Sequence, residues 1–334
     1  MRAMMLRERE PVEGSPLKEV ELPDPEPGEG EVRVRVAACG VCRTDLHVVE
    51  GDLTEGRLPV VPGHQVVGTV EAAGPGCSRL EVGDRVGIAW LRETCGDCEH
   101  CRAGRENLCE ASRYTGYDAH GGFAGKAVVR EDWAYRIPDA FGDVEATPLL
   151  CAGLIGYRAL RRAAVPDGGR LGIFGFGSSA HIVIQIARHR GCEVHVATRS
   201  EGHRRLAREL GAASTGSPYE PLPERVHGAI VFAPAGEIVP VALRSVGKAG
   251  TVSLAGVHMS PIPEMDYESC LFHEKQLRSV EANTRDDGRE LLREAAEIPV
   301  RPETTTFPLA RANEALLALK ESRIDGTGVL VPGT

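Results

Sequence analysis

Leu171-Gly172-Ile173-Phe174-Gly175-Phe176-Gly177-Ser178-Ser179-Ala180 is the stretch on which the fold turns. A short apolar run breaks at Gly175-x-Gly177-x-x-Ala180 and leads into a helical stretch, His181 to Arg190, with Ile182, Val183 and Ile186 on one side. In such a turn the first glycine permits the tight bend and the second clears a side chain from the path of a pyrophosphate. The third small residue lets helix pack on strand. The exposed N–H groups of the turn, with Ser178 and Ser179 in it, and the helix dipole then favour the phosphate charge. Taken alone the turn fits any α/β sheet; its position between a strand and a helix is what points to a dinucleotide.

Downstream the alternation continues. Val194-His195-Val196-Ala197 reads as a second strand, and Glu201 to Leu210 as a second helix that Gly211 ends. Ala229 to Phe232 and Val252 to Leu254 read as strands around a helix at Ile238 to Val246, and Leu277 to Ala282 as a further strand. Strand, helix and strand in succession imply right-handed crossovers and a parallel sheet. After the second strand, where an NAD site places an acid for the ribose hydroxyls, this chain has Ala197-Thr198-Arg199-Ser200. A carboxylate repels a 2′-phosphate, whereas Arg199 pairs with it, and Thr198 and Ser200 add neutral donors. The expected coenzyme is therefore NADP(H), with NAD(H) second. Arg204 joins that set, although for Arg204 and Arg205 a solvated helix face is the plainer reading.

Before this α/β segment the chain is β-rich. Val32, Val34 and Val36 alternate with Glu31, Arg33 and Arg35, the period-2 pattern of a half-buried strand. Glycine and proline turns at close intervals suggest a small barrel or sandwich. The last part, helical at Gly288 to Ala296 and Ala310 to Glu321 and ending on Gly328-Val329-Leu330-Val331, does not extend the α/β rhythm and is assigned to the first domain. The expected division is 1–152 with 283–334, interrupted by 153–282.

The chain has 334 residues, enough for two cores. Lys and Arg number 39 against 48 Asp and Glu, a net charge of −9 that argues against a non-specific grip on nucleic acid. No apolar run approaches the about 20 residues that span a bilayer, and Met1 to Glu8 is charged too early for a signal peptide. A cytoplasmic setting is expected. There, clustered cysteines hold metal or do chemistry more often than they form disulfides.

Ten cysteines are present, and four lie in Cys95-x-x-Cys98-x-x-Cys101-x7-Cys109, within a lobe spanning 92–112. Four thiolates close a tetrahedral sphere and leave no place for substrate, so a structural zinc is expected; an iron–sulfur cluster or free thiols are the alternatives. Three further segments contain Cys42, Gly63-His64-Gln65 and Cys151. Spacing cannot join these. Singly, the cysteines read as small buried hydrophobes and His64 as a core histidine.

Cys42-Arg43-Thr44-Asp45-Leu46-His47, Gly63-His64, Val82-Gly83-Asp84-Arg85-Val86, the four-cysteine lobe, Cys151-Ala152-Gly153 and Gly175-x-Gly177 occur in an order that resembles the zinc-dependent alcohol dehydrogenases of the medium-chain dehydrogenase/reductase superfamily. The resemblance covers nearly the whole chain. It implies a GroES-like catalytic domain interrupted by a Rossmann cofactor domain, with the active site between them. It further implies a catalytic zinc on Cys42, His64 and Cys151, with Asp45 orienting His64. Thr44 and His47 would carry the substrate proton outward, and Arg43 would hold coenzyme pyrophosphate. A homodimer or homotetramer is also implied.

Two positions qualify this. Many relatives have glutamate where this chain has Gln65, which removes a negative charge beside the metal. Trp90 falls where relatives line the substrate pocket, and it reads equally as core; a large indole there favours small primary alcohols. The rivals are an NAD-dependent polyol or formaldehyde dehydrogenase on the same scaffold and a catalytically silent protein that keeps zinc and coenzyme for structure.

Overall fold

A computed structural model describes residues 1–298, 300–324 and 326–333. The chain divides into two compact units. One comprises Met1–Cys151, Ala282–Ala296 and Pro302–Thr334; the other comprises Ala152–Glu281 with Glu297–Arg301. That last short segment groups with the second unit, where the Arg301 N–H donates to Gln185 Oε1 at 3.0 Å.

The first unit is built on a seven-stranded mixed sheet. Its path runs Thr304–Pro308, Thr327–Val331, Glu31–Val41, Gln65–Ala73, Arg85–Ile88 and Ala134–Arg136, with Lys126–Arg130 paired to Glu31–Val41. Glu31–Val41 is its spine. Val32, Val34 and Val36 are buried while Arg35 faces out, as the alternation requires. Its pairing with Gln65–Ala73 slips twice, between Arg33 and Val34 and between Val36 and Ala38. The strands close up so tightly at Gly68 that a Cβ there would lie 2.2 Å from the Arg35 carbonyl oxygen. The core beneath includes Leu6, Val34, Val66, Ile88, Phe123 and Leu330, so the returning C-terminal strand is part of it.

Two pieces of this unit have no signal in the sequence. The strand Thr304–Pro308 is a threonine run whose side chains are mostly solvated. The other is the antiparallel pair Arg2–Leu6 and Leu17–Glu21. The four-cysteine lobe is tied to the returning segment by Glu106, whose carboxylate accepts from the Arg285 N–H at 2.8 Å and from Nη2 at 2.7 Å. The same guanidinium lies 4.4 Å from the centre of the Trp133 ring.

In the second unit six parallel strands take the order Ser214–Gly216, Glu193–Ala197, Arg170–Phe174, Val226–Val231, Val246–Leu254, Gln276–Ser279. Numbered along the unit this is 3-2-1-4-5-6, the doubly wound order whose chain reversal beside the first strand opens a crevice for a dinucleotide. The third strand is too short and too polar to be visible in the sequence. The helix Ser178–His189 buries Ile182, Val183 and Ile186 as its spacing predicts. It approaches the helix Ala152–Ala163 closely at Gly156, where a Cβ would meet Val183 Cγ2 at 2.6 Å. Among the described residues no helix is long and apolar enough to cross a membrane.

His181, in the first turn of Ser178–His189, is buried, and desolvation pushes it down to about 4 from the ordinary 6.5 against a small opposing pull from the Gly177 carbonyl. As pH falls below 6.5 the unfolded chain takes up the proton first, so stability present at neutral pH is lost between about pH 6.5 and 4. The expected loss between pH 7 and 5 is about 2 kcal/mol at this residue. Denaturant melts at the two pH values should show it in the wild-type protein, and His181→Asn should flatten that slope whatever it does to absolute stability.

Candidate active site and metal centres

Cys42 ends the spine strand and caps the next helix, Arg43–Glu50. Its Sγ accepts from the Thr44 N–H at 3.3 Å, and Asp45 Oδ2 accepts from the Cys42 N–H at 2.9 Å. This reciprocal cap fixes the rotation of Asp45. Its other oxygen, Oδ1, then meets His64 Nδ1 at 3.0 Å and the Gly63 N–H at 3.2 Å. Gly63 is at φ +97°, and a Cβ there would lie 2.8 Å from the Phe123 backbone nitrogen, so only glycine makes this turn. Cys151 follows the 3-10 turn Thr147–Leu150.

These segments converge. Cys42 Sγ lies 3.3 Å from His64 Nε2 and 3.8 Å from Cys151 Sγ, and all three candidate ligand atoms are within 4.8 Å of one another. Two sulfurs bonded to one tetrahedral zinc at about 2.3 Å stand about 3.8 Å apart. The Cys151 sulfur and then burial push the Cys42 thiol well up. For His64 burial acts downward, but Asp45 and Cys42 outweigh it and raise the ring. A divalent ion relieves both: two thiolates cancel its charge, and Asp45 leaves the Nε2 lone pair free to bind it. The residues fit zinc with one coordination position left for substrate.

Around this centre the structure places residues that sequence had singled out and others it had not. Trp90 is half-buried at the edge of the core, and its ring meets His64 edge-on, 5.1 Å between centroids at 75°. Tyr114 stacks on Trp90 at 4.9 Å and Tyr117 tilts against it at 5.8 Å. These two tyrosines were missed. In a chain with only 4% aromatic residues, a Tyr114-x-x-Tyr117 pair just past the lobe was the available signal. Gln65 is fully buried opposite Gly40, and neither its Oε1 nor its Nε2 has a hydrogen-bond partner among the described residues.

Thr44 and His47 lie one turn apart on Arg43–Glu50 and so share a face. His47 Nδ1 pairs with Asp52 Oδ2 at 2.7 Å, and the exposed Asp52 carboxylate marks that end as the wet one. Arg43 is exposed at the start of the helix.

The lobe gathers its own four sulfurs. Cys95 Sγ is 3.9 Å from Cys101 Sγ and 3.5 Å from Cys109 Sγ, and the four form one ligand group. Backbone N–H groups of Cys98, Cys101 and Cys95 point at the sulfurs of Cys95, Cys98 and Cys109 at 3.3 to 3.5 Å. A four-sulfur set saturates zinc. His100 instead turns to Glu99 at 3.6 Å.

In the second unit Gly175 is at φ +88°, with the Ala233 N–H group 2.9 Å from where a Cβ would stand. Gly177 caps Ser178–His189 and has nothing within 4 Å on its Cβ side, which leaves the helix N-terminus open above Ser178 and Ser179. Ala180 is fully buried beneath. Thr198 is buried, its N–H donating to the Gly216 carbonyl at 3.0 Å. Ser200 caps the following helix by accepting from the His203 N–H at 3.4 Å. Arg204 donates through Nε to the Thr198 carbonyl at 2.9 Å and meets Glu201 at 3.4 Å, so it braces the strand end. Arg199 is exposed and forms no ion pair among the described residues. An open glycine cradle and an unengaged guanidinium fit a dinucleotide.

Residues 28–139 match the family model described as the alcohol dehydrogenase GroES-like domain, and residues 180–297 match the model described as zinc-binding dehydrogenase. The chain is 47% identical over 336 residues to a probable alcohol dehydrogenase, AdhA, of Mycobacterium tuberculosis, with 99% of this chain and 97% of that one covered. An alcohol dehydrogenase of Geobacillus stearothermophilus is 35% identical over 324 residues, covering 94% of this chain and 96% of its own. Among solved structures, an NAD-dependent alcohol dehydrogenase superposes with a TM-score of 0.89 at 26% identity, covering 99% of each chain.

Asp45→Asn keeps the shape of the buried side chain but replaces one of the two oxygens that serve three donors with an NH2 group, itself a donor. The variant should bind the ion at Cys42, His64 and Cys151 about 10–100-fold more weakly. Competition with a chromogenic chelator measures this directly: one equivalent of zinc should leave the variant early while the lobe keeps its own. Unaltered release of both ions would contradict the role given to Asp45.

Proposed function

We infer that this chain, which belongs to the zinc-binding alcohol dehydrogenases of the medium-chain dehydrogenase/reductase superfamily, interconverts small primary alcohols and aldehydes with NADP(H) as hydride carrier. Its activity is that of an alcohol dehydrogenase and it uses zinc and a nicotinamide coenzyme; the alcohol and the coenzyme choice are the inference. The convergence of Cys42, His64 and Cys151 carries it.

When bound there, zinc acidifies an alcohol hydroxyl and polarises a carbonyl, while the coenzyme exchanges hydride. The protein supplies the rest. Asp45 holds the His64 tautomer through Nδ1. The Thr44 hydroxyl is the group assigned to accept the substrate proton. His47, one turn on, hands it to solvent, with Asp52 on its Nδ1 taking the compensating hydrogen bond. Arg43 offers its guanidinium to coenzyme phosphate. Trp90, braced by Tyr114 and Tyr117 and set against His64, narrows the space for the alcohol's substituents. The second zinc, on the lobe cysteines, is assigned a structural role. All ten cysteines are unpaired, which supports a reducing cytoplasmic setting.

Arg199 supports NADP(H), since it is exposed and no carboxylate precedes it on the strand end. One observation favours NAD(H) instead. Glu201 sits two residues on, and its carboxylate is shared by Arg204 and Arg208 at 3.4 and 2.7 Å, which ties up the neighbouring cations.

Initial rates with propanal and each reduced coenzyme separate the two. NADPH should have the lower KM, and Arg199→Ala should raise it by about tenfold, the value of one charge-assisted hydrogen bond, while sparing NADH. Equal KM values in the parent enzyme would favour the NAD(H) reading. For the pocket, kcat/KM should fall from ethanol to 2-propanol and to benzyl alcohol. Trp90→Ala should lift the bulky alcohols by about tenfold. An unchanged ranking would return Trp90 to the core.

A further inference from the structure

We propose that the second unit holds a third divalent-metal site, in which zinc is bound by Glu193, His195 and Glu224. Glu193 and His195 are two apart on the strand Glu193–Ala197 and therefore share a face. On that face His195 is paired with Gly172 on one side and Ser214 on the other. Gly172 contributes no side chain, and Leu222 Cδ1 fills the space 2.7 Å from where its Cβ would stand. The segment that carries Glu224 is thereby laid across the strand, and the ligand atoms of Glu193, His195 and Glu224 come within 4.8 Å of one another.

His195 is 2% exposed, yet its two nitrogens differ sharply. Nδ1 is hydrogen-bonded to Ser214 Oγ at 2.8 Å. Nε2 is buried and has no hydrogen-bond partner among the described residues. Its neighbour is Glu193 Oε1 at 3.5 Å, beyond the range of an N–H···O bond. That separation is what two ligands share instead: a nitrogen and an oxygen on one tetrahedral zinc, each bonded at about 2.0–2.1 Å, stand about 3.4 Å apart. The Ser214 hydroxyl is placed to accept from Nδ1–H, and that tautomer leaves the Nε2 lone pair for a metal.

Charge and access agree. Two carboxylates cancel the ion's two charges, and imidazole with carboxylate oxygen suits a borderline ion such as Zn2+. Arg170, paired with Glu193 on the adjoining strand, directs its Nε to the Arg225 carbonyl at 2.8 Å. Glu193 and Glu224 are exposed, so the ion has a path from solvent and a water can complete its shell. Bound there, it would clamp the second strand of the parallel sheet to the segment that enters the fourth.

The site lies in the second unit and shares no residue with the two cysteine centres, so it is tested by difference. Zinc-replete holoenzyme and its Glu224→Gln and Glu193→Gln variants, both changed at exposed side chains, are dialysed to equilibrium against the same micromolar free zinc and analysed for metal. Wild type should carry one equivalent more than either variant, and the added ion should raise its melting temperature but not theirs. Ser214→Ala should keep the site but bind about tenfold more weakly. Equal metal content in wild type and both carboxylate variants would overturn the proposal and leave His195 and Glu193 as a plain ion pair.

Discussion

Asp45 is the hinge of the catalytic unit. One of its oxygens closes the cap at Cys42 and the other holds the Gly63 turn and the His64 ring. A buried carboxylate without such donors would carry a large desolvation penalty; with three of them it becomes the feature that brings two distant segments into register. Helix start, glycine turn and ligand orientation are therefore one arrangement. The same bonds that stop the strand at Val41 and begin the helix at Arg43 determine which nitrogen of His64 faces the sulfurs.

The ten cysteines divide according to what surrounds them. In the lobe, backbone N–H groups approach the sulfurs and the chain doubles back within a few residues, so a metal held there would substitute for a core that so short a segment cannot build. At Cys42 and Cys151 the sulfurs come from separate elements and the third candidate ligand, His64, from another, so an ion held by these three would keep a free position. Closed and open coordination here follow from whether the ligands are supplied locally or across the sheet. Gln65 marks the second environment further. A buried amide with neither polar atom hydrogen-bonded among the described residues sits next to His64, where a glutamate would have brought a charge into the same dry space.

Local signals were legible and convergent ones were not. The turn at Gly175 and Gly177 carries its own backbone demands, and the lobe's cysteines are spaced to reach one ion, so both can be found in the sequence. The alternation of Val32, Val34 and Val36 is equally direct. By contrast, Cys42, His64 and Cys151 had to be joined by resemblance, because no periodicity links residues that meet only through sheet pairing. Ser214–Gly216 lacks an apolar run, since it sits at the end of the parallel sheet with one neighbouring strand. Tyr114 and Tyr117 become meaningful only once Trp90 is seen against His64. The inward turn of Arg204 was likewise hidden, because in sequence a bracing arginine and a phosphate-binding one look the same.

That last pair shows how coenzyme choice is divided among neighbours. Arg204 and Arg208 face Glu201, and their charges are largely answered within the helix that carries them. Arg199, outside that helix, is exposed and forms no ion pair among the described residues, which leaves its charge for the proposed coenzyme. A 2′-phosphate at the strand end would meet one unengaged guanidinium and, close by, a carboxylate already shielded by two arginines. If the coenzyme is NADP(H), Arg199 is the cation that would meet its phosphate, and freeing Glu201 from Arg204 and Arg208 would set a bare carboxylate beside it without altering the shape of the pocket.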